Sequence, residues 1–204
     1  MMIPVDDRDV LLSRARSGDD AALGGLLELY RPYLTLLARV QIGRRLQGKV
    51  DPADMVQEAF LAASEHFTEF RGATEPELTA WLRRILASCV AHLVRRYFGT
   101  QARDIRLERV LEDEIDQSSR AIDGGLIAPA STPSQIASKR EQAVLLADAL
   151  NRLPVDYREV IILRHLEGLT FPEVATRMGR SVDSVEKLWV RALPRLRQAL
   201  GEST

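Results

Sequence analysis

The sequence predicts an all-α protein made of two small helical domains joined by a flexible linker. Three observations carry that expectation. Apolar residues recur with helical periodicity from about residue 6 to 109 and again from about 136 to 200, and no segment alternates as a strand does. Leu, Ala, Arg and Glu dominate while aromatic residues make up only 5% of the chain, a balance that favours helix. Between the periodic blocks, "EDEIDQSSRAIDGGLIAPASTPSQ" (residues 112–135) is acidic and then rich in Gly, Ser, Ala and Pro, and it shows no apolar stripe. The expected boundaries are 1–109 for the first domain, 110–137 for the linker and 138–204 for the second.

Length and charge narrow the function classes. The 204 residues suit two small domains, and 46% apolar with 28% charged residues is ordinary for a globular protein. No run approaches the roughly 20 apolar residues of a membrane span. "MMIPVDDRDV" lacks the basic and apolar regions of a secretion signal, so export is not expected. A single cysteine, Cys89, allows no internal disulfide and fits a reducing compartment; a cytoplasmic protein is expected. The net charge of −1 hides a segregation: −3 over residues 1–70, +4 over 71–109, −4 over 110–151 and +2 over 152–204. Two basic blocks, each preceded by an acidic one, point toward nucleic acid.

In the first domain, "DPADMVQEAFLAASEHF" opens with helix-entry chemistry. Asp51 suits the N-cap, Pro52 the first helical position and Asp54 the first turn, where the helix dipole favours an anion. Met55, Val56, Ala59, Phe60 and Ala62–Ala63 supply a buried stripe. Asp54, Gln57, Glu58 and Glu65 stay largely outside it. A short loop with Phe67, Phe70, Arg71 and Gly72 follows. The next helix, "EPELTAWLRRILASCVAHLVRRYF", sets Trp81, Ile85, Cys89 and Leu93 on one side as its core stripe. Arg83, Arg84, Arg95 and Arg96 project from other sides.

In the second domain, "GLTFPEVATRMGRSVDSVEKLW" reads as two helices with a tight turn between them. Thr170 to Glu173 forms a capping box, with Pro172 tolerated in the first turn. Gly179 ends that helix in a left-handed conformation, and Ser181 caps the next. Val174, Ala175 and Met178 line the inner face of the first helix; Val182, Val185, Trp189 and Ala192 line that of the second. This is the helix-turn-helix pattern, whose second helix enters the major groove. Opposite its core stand Ser184, Lys187 and Arg191, flanked by Asp183 and Arg195; such side chains reach guanine edges or phosphates. Pro194 is expected to kink or end this helix about a turn earlier. Three or four phosphate contacts alone bind weakly, with a salt slope of about −0.9 per contact, so a further anchor is required.

Catalytic chemistry has little support. "DGGL" lies in the linker without a following helix signal. His66, His92 and His165 are scattered, and no His or Cys spacing suits a metal. His92 reads as a surface histidine and Cys89 as core rather than nucleophile. Asp54 and Glu58 share a face with no partner acid or base. Neither enzyme activity, a cofactor nor a metal is expected.

Both blocks together resemble the extracytoplasmic-function (ECF) group of bacterial RNA polymerase sigma factors. "DPADMVQEAFLAASEHFTEFRG" is similar to the region 2 pattern D-x-x-D-[LM]-V-Q-E-x-F and continues through "LTAWLRRILASCVAHLVRRY". "LADALNRLPVDYREVIILRHLEGLTFPEVATRMGRSVDSVEKLWVRALPRLRQAL" is similar to region 4, with L-P-x-x-x-R-E-V-[IF] and E-G-[LF]-[ST]-[YF]-x-E-[VI]-A. The resemblance implies a region 2-like helical bundle and a region 4-like helix-turn-helix, with core RNA polymerase and promoter DNA as partners and an anti-sigma protein as a candidate third; no membrane partner is expected. It implies that Asp54, Gln57 and Glu58 dock on the clamp of the polymerase's largest subunit. Phe70, Arg71 and Gly72 would capture an unpaired base of the −10 element, and Arg83, Arg84, Arg95 and Arg96 would lie along the −10 DNA. Arg180, Ser181, Ser184, Lys187 and Arg191 would read the −35 element. Docking on polymerase would supply the missing anchor, turning two weak DNA contacts into one strong one.

Two other readings stay open on the sequence. One is a stand-alone helix-turn-helix regulator that dimerises through its N-terminal helices. The other is a scaffolding adaptor whose DNA binding is incidental.

Overall fold

The computed structural model describes residues 5–45, 50–98, 105–125 and 133–201, and among them every regular element is helical. The chain divides into two compact units, Met1–Gln117 and Ser118–Thr204.

The first unit packs four helices: α1 (Val5–Arg16), α2 (Asp20–Arg45), α3 (Pro52–His66) and α4 (Glu75–Phe98). Tyr30, Tyr33, Leu34 and Leu37 of α2 are fully buried, against Met55 and Val56 of α3 and Leu78, Leu82 and Leu86 of α4. Arg8 is also buried, and its guanidinium meets the Glu75 carboxylate at 2.7 Å, tying α1 to the start of α4. The α3 entry forms as its sequence predicts. Asp51 takes an extended conformation and its Oδ1 accepts from the Ala53 N–H at 2.8 Å, with Pro52 following in the first turn.

The core stripe of α4 differs from expectation. Leu78, Leu82, Leu86, Val90 and Val94 are the buried set, while Trp81, Ile85 and Cys89 are only half-buried, one position off the core axis; Leu93 is buried. Both sets repeat at four-residue spacing, so periodicity alone does not choose between adjacent rows; packing against two helices at once does. Burial, and then the Glu58 carboxylate, push the Cys89 thiol up to about 11, which leaves it protonated and unreactive.

The stretch expected as a flexible linker is largely helical: α5 (Ile105–Gly125) and α6 (Pro133–Arg152) cover most of 110–137, and residues 126–132 lie outside the described residues. The physical reason is a narrow stripe that composition conceals. Leu107, Leu111 and Ile115 recur every fourth residue among acids, and Leu111 and Ile115 are fully buried. Two such side chains gain at most about 3–6 kcal/mol from burial. Ordering backbone costs about 1–2 kcal/mol per residue, so this seam is shallow.

In the second unit α6 is followed by α7 (Val155–Ile161) and a π-helical turn (Ile162–Leu166), in which the Glu167 N–H donates to the Ile162 carbonyl at 3.0 Å. Then come α8 (Phe171–Met178) and α9 (Val182–Gly201). Leu146, Ala149, Val160, Ile161, Val174 and Val185 form a core with exposures near zero. Contrary to expectation, α9 runs through Pro194. Leu196 and Ala199 beyond it are buried, and that packing holds the last turns in place.

Candidate polymerase and nucleic-acid interfaces

On α3 the buried residues Met55, Val56, Ala59, Phe60 and Ala63 define one side. Asp54, Gln57, Glu58 and Glu65 are exposed on the other, as expected. The sequence reading missed Leu61. It is 61% exposed and sits between the acids on the same face, since 54, 58, 61 and 65 fall at helical spacing. An apolar residue in an otherwise polar stripe was the available signal. A carboxylate rim around an exposed leucine suits a basic protein surface with an apolar centre.

The loop from Phe67 to Thr74 is built by aromatic packing. Phe67 and Phe70 stack with ring centroids 5.8 Å apart, and both contact Trp81 of α4, at 6.0 and 5.1 Å. Phe70 is thus turned inward and buried, rather than displayed for a base. Gly72 passes against that ring: a Cβ there would lie 2.3 Å from Phe70 Cζ and 2.9 Å from Glu77 Cβ. Glu77 Oε2 accepts from the Ala73 and Thr74 N–H groups and from Thr74 Oγ1, at 2.9, 3.0 and 2.8 Å, which pins the loop to the start of α4. Those bonds, that from Ala73 first, hold the Glu77 carboxyl below its usual range. Arg71 is exposed at the loop tip.

Phe70, Arg71, Gly72, Trp81 and Arg84 line an open groove of about 700 Å³. Of the four arginines predicted on α4, Arg84 and Arg96 are exposed and Arg95 half-buried. Arg83 is not on that surface. Its side chain is 8% exposed, with Nη1 donating to the Tyr33 hydroxyl at 3.3 Å and Nε 2.8 Å from Asp116 of α5. The residue follows Leu82 around the helix into the seam between α2 and α5, which identity alone does not reveal.

The helix-turn-helix forms as the sequence predicts. Thr170 and Glu173 make the capping box; Glu173 Oε2 accepts from the Thr170 N–H at 2.7 Å. Gly179 adopts φ 62° and ψ 36°, and the Arg180 N–H returns to the Ala175 carbonyl at 3.0 Å. Ser181 Oγ accepts from the Ser184 N–H at 3.2 Å, capping α9. Val185 and Ala192 are buried and Trp189 half-buried, whereas Val182 is 38% exposed, too near the helix start to reach the core.

Outward from α9 stand Lys187 and Arg191, both exposed, with Ser184 half-buried between them and the turn. Lys187 pairs with Asp183 one turn earlier at 2.7 Å, and Arg180 with Asp156 of α7 at 2.6 Å. Exposed pairs of this kind are weak, so a phosphate competes with either carboxylate. The Arg195 guanidinium lies 5.1 Å from the Tyr157 ring centroid. Among the described residues no helix is long and apolar enough to cross a membrane, and no group of three His, Cys, Asp or Glu side chains is placed to hold a metal ion.

Residues 143–196, which contain the helix-turn-helix, match the family model "Sigma-70, region 4". The chain is 27% identical over 192 residues to the ECF RNA polymerase sigma factor SigD of Mycobacterium tuberculosis, covering 94% of this chain and 83% of that one. It is 28% identical over 185 residues to the ECF RNA polymerase sigma-E factor of Escherichia coli, covering 90% and 88%. A solved structure of CnrH in complex with the cytosolic domain of CnrY is 26% identical at a TM-score of 0.37, over 97% of this chain and 99% of that one. Along most of its length the chain is similar to ECF-group RNA polymerase sigma factors.

Proposed function

We propose that the protein is a sigma factor that binds core RNA polymerase, directs it to promoters through −35 and −10 elements and assists their opening. The observation that carries this reading is the outward face of α9, where Lys187 and Arg191 stand exposed on a helix aimed by the Gly179 turn. The face of α3 bearing Asp54, Gln57, Glu58 and Leu61 is proposed to seat on the polymerase clamp. Arg71, Arg84, Arg95 and Arg96 are proposed to follow the −10 DNA, with Gly72 and Phe70 shaping the loop beside them and Arg83 entering only if its seam opens. Arg180, Ser181, Ser184, Lys187 and Arg191 are proposed to read the −35 element. An anti-sigma protein stays a candidate partner on the sequence resemblance.

The test is capture of purified core polymerase by the full chain, followed by run-off transcription on a promoter library. Capture that is abolished by Asp54→Arg or Glu58→Arg, with transcription from a defined subset of promoters, is the expected result. Tight protection of a palindromic site without polymerase, and no capture, would instead make the chain a stand-alone regulator.

A further inference from the structure

Trp189 is the largest side chain of α9 and lies on its inward side with the smaller Val185 and Ala192. Its indole N–H donates to Nε2 of His165 at 2.9 Å, so Nδ1 carries the imidazole proton. The two rings stack with centroids 5.9 Å apart. Phe171 of α8 meets the indole edge-on at 5.7 Å, and the Arg164 guanidinium lies 5.1 Å from the centroid of that phenyl ring. Arg164 also donates from Nη1 to the Leu169 carbonyl at 3.2 Å. His165 stands in the π-helical turn, where the Glu167 N–H returns to Ile162 rather than to Leu163 as in an α-helix. The indole is thereby held from two sides, by that turn and by α8.

We propose that the Trp189–His165 hydrogen bond positions the reading face of α9: it sets the rotation of that helix about its own axis and so where Lys187 and Arg191 meet DNA, a role that rests on α9 reading the −35 element. Lys187 and Arg191 stand two residues before and after Trp189, and both are exposed. On a helix about 10–12 Å across, a rotation of about 20° carries their tips about 2 Å around the axis. Hydrogen bonds to base edges span only about 2.7–3.2 Å, so a shift of that size breaks them. Burial of Val185 and Ala192 gives no such control, since apolar contact is non-directional. The indole N–H is directional, and its acceptor is kept available: burial first, and then Arg164, disfavour protonation of the imidazole. In this role His165 and Trp189 touch no DNA; they act through Lys187 and Arg191.

The experiment reads −35 discrimination by the full chain on core RNA polymerase: run-off transcript from a promoter selected with the wild-type chain, divided by that from the same promoter with its −35 element scrambled. Effects on core binding and on promoter opening cancel in that ratio. Each variant is assayed well below its melting temperature, taken from circular dichroism. His165→Gln, whose amide oxygen still accepts from the indole, keeps the ratio within about twofold of wild type. His165→Leu and Trp189→Phe, which remove the acceptor and the donor, each lower it about fivefold or more, the size of one lost base contact. The double variant His165→Leu/Trp189→Phe loses no more than the larger single loss, because both changes break the same bond. A ratio retained by Trp189→Phe, a loss in His165→Gln as large as in His165→Leu, or losses that multiply in the double variant overturn the positioning role and leave the −35 reading intact. Where His165→Leu does not fold, Trp189→Phe and His165→Gln decide between the same outcomes. A wild-type ratio of one overturns both the role and the −35 reading beneath it.

Discussion

The indole N–H of Trp189 donates to Nε2 of His165 at 2.9 Å, and the two rings lie with centroids 5.9 Å apart. Phe171 meets the same indole edge-on at 5.7 Å, so this contact joins α9 to the π-helical turn and to the first turn of α8. The bond requires an unprotonated Nε2. Burial first, and then the Arg164 guanidinium, hold the His165 pKa below its ordinary value. Above about pH 6.5 both folded and unfolded chains carry a neutral imidazole and the stability is fully present. As pH falls through that value the unfolded chain takes up a proton that the native state refuses, and stability drops until the native value is also passed. Trp189 fluorescence in a Trp81→Phe background will therefore report a melting temperature that decreases from about pH 7.5 to about pH 5.5. His165→Gln, whose amide oxygen still accepts from the indole, will show a smaller decrease; an equal one removes His165 from the account.

Gly72→Ala forces a Cβ into the Phe70 ring. Overpacking of this size costs about 1–3 kcal/mol, and the loop will loosen around Trp81. Urea unfolding followed by far-UV circular dichroism checks the loss, and an unchanged midpoint refutes the packing role.

Gly179→Ala meets no atom within 4 Å, so its cost is backbone alone. A non-glycine residue at φ 62° pays about 1–2 kcal/mol, and Asn, which visits this region readily, pays less. The order Gly, Asn, Ala in unfolding free energy is the expected outcome.

Leu61→Asp replaces an exposed side chain and will change stability by no more than about 0.5 kcal/mol. If α3 seats on polymerase through this face, the same change lowers capture of core enzyme by about tenfold or more. Surface-plasmon titration against immobilised core polymerase separates the two effects.

Arg191→Ala removes a positive charge from the outward face of α9. The dependence of DNA affinity on salt should shallow by about one unit of slope, measured on polymerase-bound protein. An unchanged slope places Arg191 away from phosphate.

Features closed by a few neighbouring residues were legible without any fold: the Asp51 cap, the Thr170–Glu173 box, the Gly179 turn and the acidic face of α3. Each is a local hydrogen bond or a helical spacing, and both are encoded within a turn or two of chain. What the sequence could not show was which of two adjacent rows on α4 meets the core, that Phe70 turns inward, and that Arg83 is buried against Tyr33 and Asp116. Those outcomes depend on residues up to 50 positions apart, brought together only when α2, α4 and α5 pack. The same holds for the acidic start of the expected linker, 110–137: its composition describes a tether, but Leu111 and Ile115 are buried, and that burial holds it as a helix.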